Sequence, residues 1–130
     1  MQVSRFIGFG SVLGTRYCFM EERRQFDRAT IPPAANIFAE DDRGTRLGRI
    51  LVLGRGGFLL QTSRTFPVNV PLALVIVAEQ DGIRRRINAA RRYLTEQGDS
   101  GFEFHHLEPD AAVEIGVLIG KYFYAPGAEK

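Results

Sequence analysis

A chain of 130 residues, 45% hydrophobic and 25% charged, has room for one domain around one core and is not expected to be disordered along its length. The single cysteine, Cys18, excludes an internal disulfide and points to a reducing compartment, taken as the cytoplasm. No run of about 18 apolar residues occurs, so no membrane-spanning helix is expected, and the net charge of +2 is small for a duplex nucleic-acid binder.

Residues 1–20 are apolar in patches that Gly8, Gly10 and Gly14 interrupt. They read as an N-terminal extension of unassigned structure, without the clean cleavage site of a secretory signal. Glu21 to Arg28 is a dense charge cluster, and Ile31-Pro32-Pro33 then holds the backbone extended. Ala34 to Ala39 is predicted as a strand, Glu40 to Gly44 as a polar turn and Thr45 to Leu53 as a second strand. Phe58 to Thr62 follows the glycine turn Gly54-Arg55-Gly56-Gly57 as a third strand. Ser63 to Val70 is a loop broken by Pro67.

Leu72 to Ala78 is a continuous apolar run of strand length, expected to be buried on both faces. Asp81-Gly82 signals a hairpin. Ile83 to Leu94 fits one helical face through Ile83, Ile87, Ala90 and Leu94, but the flanking turn and the next strand, Gly98 to His106, favour a long return strand. Pro109 opens a helix at its first turn, with Asp110 suited to the positive helix end. Its core stripe is predicted as Ala112, Ile115, Ile119 and Phe123, with Val113 and Leu118 beside it, ending near Tyr124 before Pro126 and Gly127. Residues 125–130 read as a disordered tail. About six antiparallel strands and one C-terminal α-helix make a mainly β protein, and closure into a small barrel removes the exposed sheet edges.

Of the 17 basic residues only Lys121 and Lys130 are lysines, which leaves 15 arginines. Genomic base composition accounts for such a total, so only the placement of particular arginines carries a functional argument. Arg23, Arg24 and Arg28 contain the spacing R-x-x-x-R between Arg24 and Arg28. In an extended segment such forks converge on one polyanion, pairing with phosphate oxygens or with the O6/N7 edge of guanine. The plainer account is a solvated cluster neutralised by Glu21, Glu22 and Asp27. Gly54, Gly56 and Gly57 would let a ligand approach the backbone closely. No Gly-Lys-Ser/Thr follows, so this is not a P-loop, and it opens no helix. By itself it is a turn between two strands.

The order of arginine cluster, extended segment, strand, glycine turn, apolar strand, hairpin, G-F-E-F strand and helix resembles the PilZ family, small β-barrel receptors for cyclic di-GMP. The resemblance runs from Glu22 to Tyr124, so residues 21–124 are taken as the domain. Its most specific parts are Arg23-Arg24-Gln25-Phe26-Asp27-Arg28, Gly56-Gly57-Phe58 and Gly101-Phe102-Glu103-Phe104. In that family R-x-x-x-R and D/N-x-S-x-x-G bind the ligand. Arg24 and Arg28 match the first motif, with Arg23 beside it. The second is damaged: with Gly57 as its last glycine, Val52 replaces the acidic or amide residue and Gly54 replaces the serine. Valine cannot accept a hydrogen bond from guanine, and a buried unsatisfied donor costs about 1–3 kcal/mol.

The resemblance thus implies a non-catalytic cyclic di-GMP receptor with no cofactor and no metal, whose ligand site comprises Arg23, Arg24, Arg28, Gly54, Arg55 and Gly57. Arg55 would offset the lost polar groups through a phosphate. Ordering of the arginine segment would pass the signal to a protein partner. The alternative is an adaptor with the same barrel that has lost the nucleotide and acts through protein contacts. Arg84, Arg85, Arg86, Arg91 and Arg92 form a basic stretch, but on a strand they divide between two faces, which argues against nucleic acid. His105 and His106 have no paired carboxylate motif or nucleophile near them, and Cys18 has no activating neighbour. Gly116 and Gly120, four apart, leave room for another helix, from this chain or a second copy in a homodimer.

Overall fold

The computed structural model describes residues 28–123. Seven strands, β1 (Arg28–Thr30), β2 (Ile37–Asp41), β3 (Arg46–Gly54), β4 (Gly57–Gln61), β5 (Leu72–Ala78), β6 (Ile83–Leu94) and β7 (Ser100–His106), precede the helix α1 (Pro109–Phe123). All pairings between them are antiparallel, in the order β1-β3-β2-β5-β6-β7-β4, and β4 also pairs with β3. That last pairing closes β2 to β7 into a six-stranded barrel, with β1 continuing the β3 edge that β2 leaves free. The expected mainly β barrel with one C-terminal helix is the observed architecture.

Inward side chains alternate along each strand, and breaks in the alternation fall at bulges. On β3, Leu47, Ile50 and Leu53 are buried, and the two register shifts, between Arg46 and Gly48 against β2 and between Ile50 and Val52 against β4, account for the three-residue spacing. The long strand β6 shifts register twice against β7, which bends it around the barrel. Ile37, Ile50, Leu53, Leu60, Leu74, Ile76 and Leu118 are fully buried. The Phe58 and Phe102 rings stack at 5.1 Å, with Phe66 edge-on to Phe102 at 5.2 Å. Helix α1 packs on β1, β3 and β6, anchored by Arg85 Nε to Glu114 Oε1 (2.8 Å) and by Lys121 and the Tyr122 hydroxyl to Asp81.

Several boundaries differ from the sequence reading. The strand expected over Ala34 to Ala39 starts at Ile37, because Pro33–Ala35 winds into a 3-10 turn that Asn36 ends in the left-handed region (φ 55°). The Asp81-Gly82 hairpin is a wider connection, a 3-10 turn over Glu79–Asp81 closed by Gly82 at φ 68°. Gly98 belongs to the next turn, at φ 88°, rather than to β7. In α1 the buried face is Ala111, Ile115, Leu118, Ile119 and Tyr122. Val113, placed beside the core stripe from sequence, is 66% exposed. Burial of Ala111, Ile115, Leu118, Ile119 and Tyr122 against the barrel sets the rotation of α1, which leaves Glu114 and Lys121 within reach of Arg85 on β6 and Asp81 on the preceding turn.

The arginine run of β6 divides as alternation requires. Arg84 reaches Glu40 on the outer face at 2.7 Å, and Arg85 reaches the helix. Buried Arg91 donates Nε–H to the Phe66 carbonyl at 3.0 Å, and Arg92 holds Asn69 and Glu103. Arg46 lies 4.2 Å over the Phe38 ring. Much of the arginine excess therefore serves internal contacts. His105 and His106 are both exposed.

Candidate functional site

The short strand β1 decides where the arginine motif meets the barrel. Ala29 points inward, so Arg28 and Thr30 point out. In the β1–β3 ladder Arg28 stands opposite Gly54, Ala29 opposite Leu53, and Thr30 opposite Val52. The last arginine of R-x-x-x-R is therefore a direct cross-strand neighbour of the first residue of the glycine turn. Arg28 is exposed and has no carboxylate partner among the described residues. Arg23 and Arg24, like Cys18, lie outside the described residues.

The turn Gly54–Gly57 is fixed from two sides. Gly54 ends β3 against Arg28, and Gly56 accepts a backbone hydrogen bond from Phe104 N at 2.9 Å. Gly57 faces Glu103 on β7 so closely that a Cβ there would stand 1.9 Å from the Phe102 carbonyl oxygen. Its glycine identity is a requirement of strand packing, independent of any ligand. Gly56 has nothing within 4 Å of a Cβ position. The Arg55 guanidinium lies over α1, with Nη1 3.4 Å from where a Cβ on Gly116 would be. The gap that Gly116 leaves is thus filled by Arg55 rather than by a second helix, whereas Gly120 has no neighbour within 4 Å among the described residues.

Beside the turn the outer face is apolar. The register places Thr30, Val52, Leu59, Gly101 and Tyr93 in one row across β1, β3, β4, β7 and β6. Val52 and Leu59 are half-buried. Tyr93 folds over Gly101: ring atoms Cζ and Cε1 lie 2.2 and 2.3 Å from where a Cβ on Gly101 would be. Burial pushes the Tyr93 phenol above its ordinary range, and the nearby positive charge of Arg28 partly offsets this. The phenol is therefore neutral at physiological pH. Glu103, opposite Gly57, is held by Arg92. Tyr93 was not visible as a site residue in the sequence. The signal that could have found it is an aromatic opposite a glycine on the neighbouring strand.

Among the described residues no cluster of His, Cys, Asp and Glu is placed to hold a metal ion, and no helix is long and apolar enough to cross a membrane.

A closed six-stranded antiparallel barrel with one C-terminal helix is the PilZ-like fold. The chain is similar in structure to the PilZ domain with c-di-GMP of YcgR from Escherichia coli, with a TM-score of 0.58 at 16% identity, over 73% of this chain and 87% of that one. No protein-family model and no curated protein matches the sequence.

Proposed function

We propose that this chain is a non-catalytic receptor domain that takes cyclic di-GMP on its outer face, where β1 meets the Gly54–Gly57 turn, and signals to a protein partner. The observation that carries the reading is the pairing of Arg28 with Gly54. It brings together two motifs 26 positions apart in the chain, and it leaves the guanidinium in solvent, where it is available to a phosphate or a guanine edge. The proposed contacts are Arg23, Arg24 and Arg28 as the cationic clamp, Gly54 and Gly57 as the backbone approach, and Arg55 as a phosphate ligand from the helix side. Binding gathers the arginine segment onto the barrel, which alters the surface offered to a partner. The PilZ-like fold, shared with a domain whose solved structure holds c-di-GMP, supports the ligand class.

A second reading has its own observation. Val52, half-buried beside Leu59, puts an apolar side chain where the motif expects an acceptor. That strip suits an adaptor that no longer binds nucleotide. Calorimetric titration of the full chain with cyclic di-GMP, beside an Arg24→Ala/Arg28→Ala double variant, separates the two. The receptor predicts saturable heat that the variant loses. Absence of heat at high ligand concentration leaves the adaptor.

A further inference from the structure

We infer that the outer face formed by β3, β2, β5 and β6, a face that does not include the glycine turn, is the docking surface for an acidic segment of the protein partner. The inference rests on the partner, which both readings above share, and not on the nucleotide. Two rows of cross-strand neighbours define the face. One runs Arg49, Phe38, Val77, Arg84, and the other runs Arg46, Glu40, Val75, Arg86. Directly opposed residues share a face of the sheet. The register shift between Ala39 and Glu40 lets Arg46 and Arg49 stand on the same face although they are three positions apart. Two contacts agree with this placement. Arg46 lies 4.2 Å over the Phe38 ring, and Arg84 Nη1 reaches Glu40 Oε1 across β5 at 2.7 Å.

The rows bring four arginines to one carboxylate, with Glu79 adding a weaker attraction to Arg84 from the turn before β6. Glu40 is buried and already paired, while Arg84 keeps 58% of its side chain exposed after that contact. Arg86 is exposed and Arg49 half-buried, and neither has a hydrogen-bond or ion-pair partner among the described residues. Three strand spacings separate the arginines of β3 from those of β6, about 14 Å. In an extended peptide, residues i and i+4 project to one side about 13 Å apart. A segment with acids at alternate positions, laid across the strands, therefore sets carboxylates against both pairs of guanidinium forks at once.

Any polyanion would feel this charge, and the rest of the face selects among them. A single-stranded nucleic acid needs aromatic rings on which its bases stack. Phe38, the aromatic of the two rows, is buried beneath Arg46. A duplex binder carries more positive charge than the +2 of this chain. A lipid surface needs apolar side chains to insert. The exposed large apolar side chains among the described residues are those of Val68, Val70, Tyr93, Leu94, Val113 and Val117, and none stands in the rows. A carboxylate needs only the forks, and the Arg84–Glu40 pair already shows one held there.

The test titrates the full chain with a capped decapeptide of alternating glutamate and threonine, beside an oligothymidylate of equal charge and phosphatidylglycerol vesicles, at low ionic strength. Saturable binding of the peptide is expected, weakening as salt is added. The Arg49→Gln/Arg86→Gln variant should bind it about 3- to 30-fold more weakly and should respond to cyclic di-GMP as the wild type does. In the wild-type NMR spectrum the side-chain Nε–H resonances of Arg49, Arg84 and Arg86 should move with the peptide, a readout that stands even if the variant fails to fold. The docking surface is overturned by no saturable peptide binding, by equal affinity in the variant, by shifts centred on Arg28 and residues 54–57, or by tighter binding of the oligonucleotide or the vesicles. A wild type that binds the peptide and not cyclic di-GMP keeps the docking surface and overturns the receptor reading. One that binds cyclic di-GMP and not the peptide does the reverse.

Discussion

Gly56 and Gly57 are adjacent, yet an alanine should behave oppositely at the two positions. A Cβ at position 57 would lie 1.9 Å from the Phe102 carbonyl oxygen, 2.9 Å from its carbon and 3.0 Å from Glu103 Cα. Non-bonded heavy atoms rest at about 3.5 Å, so β4 would have to retreat from β7 by about 1.5 Å. That movement would stretch the Phe104 N to Gly56 O bond (2.9 Å) and part the Phe58–Phe102 stack. Overpacking costs about 1–3 kcal/mol and each backbone bond lost about 1 kcal/mol, so Gly57→Ala should destabilise by about 2–4 kcal/mol. For a domain of this size that is a fall in Tm of about 10–30 °C. Gly56 has open space and a φ outside the left-handed region, so Gly56→Ala should be neutral or stabilise by up to about 1 kcal/mol by restricting the unfolded chain. Thermal melts followed by circular dichroism, with urea titrations for free energy, measure both. Equal stability of the two variants would refute the close approach of β4 to β7.

Arg91→Met keeps the aliphatic stem but deletes the donor that holds the Phe66 carbonyl. We expect a loss of about 1–3 kcal/mol in urea titration and faster protease cleavage between residues 63 and 71; an unchanged digest would show that the loop is held by other means. The Arg85 guanidinium, through its hydrogen bond, holds the Glu114 carboxyl below its ordinary value of 4.5. A depressed folded-state value means that the stabilisation is present above the unfolded value and is lost as pH falls through the folded one. Glu114→Gln should therefore lower Tm at neutral pH, and the gap to wild type should close as the solution is acidified below about pH 4.5. A gap that persists in strong acid would assign the effect to packing instead.

The fold was legible wherever one local force acts alone. Leu72–Ala78 is apolar throughout and became a central strand with the predicted ends. Ile83–Leu94 carried both a helical and a strand pattern, and the sheet decided it, because both neighbours, β5 and β7, offer ladders to pair with. Where two local signals compete, boundaries moved: Pro33 and Asn36 favour a tight turn over an extended start to β2. The rotation of α1 was not legible, since Val113 and Ala111 are equally plausible core residues until the strands that the helix covers are in place. At the candidate site the motif spacing singled out Arg28 and the glycine turn as candidates, but their adjacency needed the β1–β3 register. The reason for Gly57 and the resting place of Tyr93 both depend on β7, more than forty residues later in the chain than Gly57, and no local pattern reports such an approach.

The central claim is that an anionic guanine nucleotide binds where β1 meets the turn that follows β3. Amide chemical shifts of the isotope-labelled full chain, titrated with cyclic di-GMP, locate the contact directly. The account predicts that the largest changes fall on Arg28, Thr30 and the amides of residues 54–57, while the Asp41–Gly44 turn at the far end of β3 stays still. Shifts centred on that far turn, or on the outer face of α1 around Val113 and Val117, would contradict it.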